Sequence, residues 1–174
     1  MILTGNQIVE EVGLGRITID PFDASCVNPN SYNFTLSDTF KVYSDPIIDA
    51  RSDNKVDIIR MTNGRLVLEP NRLYLAATRE RLGSTHFAPT YSARSSVARL
   101  GMFINLSASL GDIGFVGHWT LQLFCLHPIC VYESMRIGQM MFWKPTGRIT
   151  QYDGKYQGAQ GPMQSQIYKD LRPR

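Results

Sequence analysis

No apolar run in this sequence approaches the roughly 18 residues of a membrane-spanning helix, and the start MILTGNQIVEEVG lacks a leader pattern. Cysteine is scarce. Cys26, Cys125 and Cys130 are an odd number without framework spacing, which argues against a disulfide scaffold and predicts reduced thiols in a cytoplasmic protein. His86, His118 and His127 are scattered, and neither His-x-Glu nor Cys-x-x-Cys occurs, so no zinc site is expected. The phosphate loop G-x-x-x-x-G-K, the dinucleotide fingerprint G-x-G-x-x-G and the nucleophile elbow G-x-S-x-G are also absent. A net charge of +3 is too small for a nucleic-acid surface.

What is present suits one globular domain over residues 1–174, with 43% hydrophobic residues to build a core. Thr4 followed by Gln7 fits a capping box, and Ile8, Val9 and Val12 then form an apolar stripe, so a short helix opens the chain and stops at Gly13 and Gly15. Strand-like segments follow: RITIDPF, a strand pair in NPNSYNFTLSDTFKVY, strand–turn–strand in GRLVLEPNRLYLAATRERL, GHWTLQLFC, and two strands in 127–143. Short strands with turn chemistry between them point to an all-β barrel or sandwich-like domain. In GHWTLQLFC the alternation puts Trp119, Leu121 and Leu123 on one face and Thr120, Gln122 and Phe124 on the other. One amide among large apolar side chains must find partners or cost stability.

Three segments carry candidate chemistry. ARSSVARLG (93–101) sets Arg94 and Arg99 around Ser95 and Ser96, and guanidinium forks with hydroxyls suit phosphate oxygens. They equally suit a polar loop that caps a helical turn. Asp112 in LGDIGFVG stands in a glycine-rich turn, where an acid either orients a hydroxyl or water, or caps the turn itself. The Gly-rich stretch YDGKYQGAQGP, with Tyr152, Lys155 and Gln160, reads as a flexible segment (about 150–174) able to close over a bound polyphosphate, or as a free tail.

In order, MILTGNQI, NPNSYNFTL, LEPNRLYLAATRERL, ARSSVARLGMF, GDIGFVGHWTLQLF, RIGQMMF, YDGKY and IYKDL resemble the dCTP deaminase family, relatives of dUTPase, along nearly the whole chain. The resemblance implies a distorted β-barrel of the dUTPase-like type and a homotrimer with shared active sites. It implies a pyrimidine deoxynucleoside triphosphate as ligand (dCTP or dUTP, with dTTP as inhibitor in many relatives), Mg²⁺ carried on the phosphates, and no zinc. By position, it puts Arg94 and Ser96 at phosphate contacts and Ser95 and Arg99 at the catalytic serine and arginine. Ser107 and Ala108 fall on the segment that reads the base. Asp112 falls at the acid that meets the deoxyribose 3′-hydroxyl or, in dUTP-hydrolysing relatives, orients the water. Tyr152 and Lys155 fall in the closing segment, with Gln160 beside the place of a family glutamine.

The departures are as informative. Gln122 occupies the position of the family's catalytic glutamate. Leu110, Gly111 and Ile113 surround Asp112 where the family has Arg or Trp, Ile or Val, and proline, and Asn33 replaces an aspartate. Glutamine keeps the shape and hydrogen bonds of glutamate but cannot relay a proton, a role typically worth about 10²–10⁴-fold. The sequence therefore points to an enzyme, a hydrolase of the dCTP deaminase/dUTPase type. It leaves open whether the chain deaminates dCTP to dUTP and ammonia, splits diphosphate from dCTP or dUTP through Asp112, or only binds nucleotide, either as a natural homologue or as an engineered Glu→Gln substrate trap.

Overall fold

The structure, a computed structural model, describes residues 1–171. The opening helix α1 (Gly5–Gly13) is capped as its sequence predicts, with Thr4 Oγ1 accepting from Gln7 N at 3.3 Å. Only half of the capping box forms, because the Gln7 side chain donates forward to Glu11 Oε1 at 3.0 Å. The buried face also differs from the expected stripe. Ile8 is buried and Val12 packs against the core, but Val9 is 43% exposed, since it lies about 100° around the helix from Ile8. Glu11 is buried in its place and is held by the Arg16 guanidinium.

Among the described residues twelve strands follow: β1 (Ile17–Asp20), β2 (Val27–Asn28), β3 (Ser31–Thr35), β4 (Thr39–Tyr43), β5 (Val56–Arg60), β6 (Arg65–Leu68), β7 (Tyr74–Ser84), β8 (Ala88–Ala93), β9 (Met102–Phe103), β10 (Val116–Cys125), β11 (Ile129–Tyr132) and β12 (Arg136–Trp143). A single helical turn, α2 (Ser95–Ala98), interrupts them between β8 and β9. The expectation of an all-β domain with a short N-terminal helix is met. The largest sheet runs β5-β4-β7-β10-β9, with β1 also paired to β7. A four-stranded sheet runs β2-β3-β12-β8, and β6 pairs with β11 alone.

The strands expected in NPNSYNFTLSDTFKVY and GRLVLEPNRLYLAATRERL form, but β3 and β4 adjoin in sequence without pairing and enter different sheets, as do β6 and β7. Burial accounts for the first of these splits. Every residue of β3 is buried, which requires cover on both faces, whereas β4 buries alternate residues.

One cluster of buried side chains joins the sheets, including Tyr32, Phe34, Phe40, Leu82, Leu121, Ile137 and Phe142. A buried polar contact crosses it. Both the backbone N–H and the hydroxyl of Thr35 (β3) donate to the Glu80 carboxylate (β7), at 2.9 and 2.7 Å. Asn33 is also buried, and its Nδ2 donates to Asn28 Oδ1 at 3.2 Å, a bond that an ionised aspartate could not make.

Strand β10 positions the site. Gly117, Trp119, Leu121, Leu123 and Cys125 are buried, while Val116, His118, Thr120, Gln122 and Phe124 are half-buried, the alternation expected from the sequence. A bulge between His118 and Thr120 shifts its register against β7. There Trp119 N–H, displaced from the ladder, donates to Thr78 Oγ1 at 2.9 Å, and His118 Nδ1 lies 2.9 Å from the Thr78 carbonyl.

The three cysteines are free thiols, and no helix among the described residues is long and apolar enough to cross a membrane.

Candidate functional site

A cavity of about 460 Å³ opens over the half-buried face of β10. His118, Thr120 and Gln122 form its floor. Leu75 comes from the start of β7 and Leu73 from just before it, while Ala108, Leu110, Asp112 and Phe115 come from the segment that leads into β10. The C-terminal segment supplies the remaining wall with Tyr152, Tyr156, Ala159 and Met163–Ser165.

That segment is laid on the sheet by its backbone. Tyr152 N donates to Ile113 O at 2.7 Å, His118 N to Ala159 O at 2.8 Å, Met163 N to Thr120 Oγ1 at 3.0 Å and Ser165 N to the Tyr43 hydroxyl at 3.0 Å. Gln157 adds a two-way clamp, donating to Gly114 O and accepting from Val116 N. The ring of Tyr152 meets Phe115 edge-on, with centroids 6.0 Å apart. Lys155 is paired with Asp170, whose hydrogen bond holds the ammonium above its ordinary pKa.

Within the cavity, Gln122 Oε1 accepts from Leu106 N at 3.4 Å, and the backbone N–H of Gln122 donates to Ile104 O at 2.9 Å. The Asp112 carboxylate makes no hydrogen bond among the described residues. Because His118 Nδ1 faces a carbonyl, it carries the ring proton and donates, so Nε2 is the open nitrogen. A Cβ built on Gly111 would stand 1.9 Å from Trp119 Cη2, so the indole occupies the space of the branched side chain expected before Asp112.

Of the residues singled out in the sequence, this cavity unites Gln122, Asp112, Ala108 and Tyr152. Arg94, Ser95, Ser96 and Arg99 lie outside it on α2 and its flanks, with both serines and Arg99 exposed. Arg94 reaches only the Arg136 carbonyl, at 3.5 Å, and Arg99 has no side-chain partner among the described residues. Ser107, Lys155 and Gln160 are likewise not lining residues. The sequence reading missed His118, Thr120 and Phe115 as site residues. Strand parity with Gln122 would have found the first two. A larger cleft, about 600 Å³, lies between the chain start and residues 144–149, and it holds none of the residues expected to act.

No three His, Cys, Asp or Glu side chains gather around a metal position among the described residues. The Asp112 carboxylate is exposed and open, and a single carboxylate of that kind suits a hydrated divalent cation.

An all-β sheet system with a cavity closed by its own C-terminal segment defines the class. Residues 2–145 match the dCTP deaminase-like family, and the chain belongs to it. Among similar proteins, one from Clostridium beijerinckii is 42% identical over 98% of this chain and 99% of its own length, and one from Leptospira biflexa is 41% identical over 98% of each. Both are named "dCTP deaminase, dUMP-forming". The fold is also shared with a 2′-deoxycytidine 5′-triphosphate deaminase from Agrobacterium tumefaciens (TM-score 0.66, 18% identity), over 81% of this chain and 47% of that one.

These names correct the enzyme class expected from the sequence, a hydrolase of the dCTP deaminase/dUTPase type with deamination left open. In the relatives' names, deamination and dUMP formation belong to one enzyme.

Proposed function

We propose that this chain forms dUMP from a pyrimidine deoxynucleoside triphosphate bound over β10, the outcome stated in its relatives' names. For dCTP the complete reaction is dCTP + 2 H₂O → dUMP + NH₃ + diphosphate. The observation that carries this reading is one cavity holding Asp112 with an open carboxylate, the Phe115 and Tyr152 rings, and Gln122.

Asp112 is suited to accept from a sugar hydroxyl or to orient the water that attacks the phosphate chain. Mg²⁺ on the phosphate oxygens supplies charge neutralisation. The exposed guanidinium of Arg99, with Arg94, Ser95 and Ser96, supports phosphate binding at a site shared between subunits. Exposed Leu100, Phe103, Leu106 and Leu126 nearby support burial of this face in a homotrimer. The presence of Ala108 in the lining supports a border for the base there, with Ser107 next to it in the chain. The segment carrying Tyr152, Lys155 and Gln160 serves as the closing element, and free thiols support a cytoplasmic setting.

Gln122 bears on the first half of the reaction. Deamination at C4 needs a proton taken from water and delivered to the ring and leaving group, and an amide does neither. The deamination step is therefore slow in this chain, while release of diphosphate does not depend on Gln122.

Incubation with dCTP and with dUTP in Mg²⁺, with ammonia and nucleotide products resolved over time, tests this. Expected are dUMP and diphosphate from dUTP, with slower turnover of dCTP. Accumulation of dUTP as the end product of dCTP, or no product from either, contradicts it. Asp112→Asn is expected to stop diphosphate release.

A further inference from the structure

Gln122 is half-buried in the floor of the cavity, and its amide has a defined orientation. Leu106 N–H can only donate, so the atom facing it at 3.4 Å is the oxygen. The Nε2 group points elsewhere and makes no hydrogen bond among the described residues. The cavity is therefore offered a donor with two unpaired protons. A carboxylate in the same place offers only acceptors.

The neighbours leave that donor decisive. Leu75 is the cross-strand partner of Gln122, Leu73 and Ala108 add apolar wall, and the polar lining side chains Tyr43, Thr120 and Gln164 are already engaged in hydrogen bonds. The one acid in the lining among the described residues, Asp112, enters from the turn that precedes β10 and is suited to accept from a sugar hydroxyl. A nucleoside lying along β10 with its sugar toward Asp112 sets the far edge of its base against Gln122.

We infer that Gln122 determines base specificity, its amide donor selecting a 4-oxo pyrimidine ring (as in dUTP) over a 4-amino ring (as in dCTP). This rests on the nucleotide reading above. The O4 atom of a 4-oxo ring accepts from Nε2 directly. A 4-amino ring opposes its own N–H₂ to that donor, and to be satisfied it must share the amide oxygen with Leu106 N–H, which already donates to it at 3.4 Å. If it turns N3 onto the donor, its amino group faces apolar Leu73 and Leu75. A buried polar group left unpaired in this way is discriminated against by about tenfold or more.

Titration calorimetry of the full chain with the α,β-imido analogues of dUTP and dCTP, in Mg²⁺ buffer, tests the inference. The 4-oxo analogue is expected to bind at least about tenfold more tightly. Gln122→Glu reverses the order, since a carboxylate accepts from the amino group and repels O4. Gln122→Leu removes the preference. Equal affinities in the unsubstituted protein, or a preference that survives Gln122→Leu, overturn the inference while leaving the nucleotide reading standing. Failure of both analogues to bind removes both.

Discussion

The backbone N–H of His118 donates to the carbonyl of Ala159 at 2.8 Å, tying the C-terminal segment to the strand that carries Gln122. The contact is close because residue 117 is glycine. A Cβ there would lie 2.9 Å from Ala159 N and 3.1 Å from its carbonyl oxygen. Gly117→Val is expected to lift the segment. Losing one or two backbone bonds of about 1 kcal/mol each weakens nucleotide binding by about tenfold. Proteolysis within 152–162 should quicken, and the unfolding midpoint of the sheets should barely move. Unchanged protease sensitivity and affinity would show that the segment does not close the site.

Restoring a carboxylate at Gln122 restores a group able to take a proton from water. Gln122→Glu is expected to raise ammonia release from dCTP by about 10²–10⁴-fold. A stopped assay for ammonia checks this, and a flat response would assign the slow step to the turn around Leu110 and Gly111 instead.

The Glu80 carboxylate holds the N–H and hydroxyl of Thr35 across the core. Thr35→Val removes the hydroxyl donor at nearly constant volume and leaves a buried carboxylate short of a partner. The expected loss is about 1–3 kcal/mol, read as a lower urea midpoint with unchanged slope.

Glu11 predicts a pH dependence. The hydrogen bond from Arg16 holds its carboxyl below the ordinary carboxylate range, against the opposing effect of burial. A carboxyl with a lowered folded pKa contributes stability above its unfolded value, and that contribution is lost as pH falls through the folded value. Urea midpoints measured from neutral pH down to about pH 3 should fall less steeply in Glu11→Gln than in the unsubstituted protein. Parallel curves would mean that the Glu11–Arg16 pair is not linked to folding.

Much of the local structure was legible because it is local. Thr4 capping, the two faces of β10 and the turn around Asp112 follow from periods of 3.6 and 2 and from turn chemistry. Strand partners were not legible. β3 and β4 are adjacent in sequence, yet the fully buried side chains of β3 lead it to β12. In the linear sequence Gly111 is only a departure from the family's Ile or Val. In space it is the room that Trp119 requires.

The sequence by itself determined an all-β chain, its family resemblance, and the presence of an amide where proton transfer is expected, because residue identity and short-range periodicity are enough for these. Only the tertiary structure decided which of the chemical residues share a cavity. It placed Gln122, Asp112 and Tyr152 together and left the RSSVAR block outside. It also decided which end of the Gln122 amide faces Leu106 N–H. That orientation depends on Leu106, sixteen residues away in sequence, whose N–H arrives beside β10 only once the chain has folded.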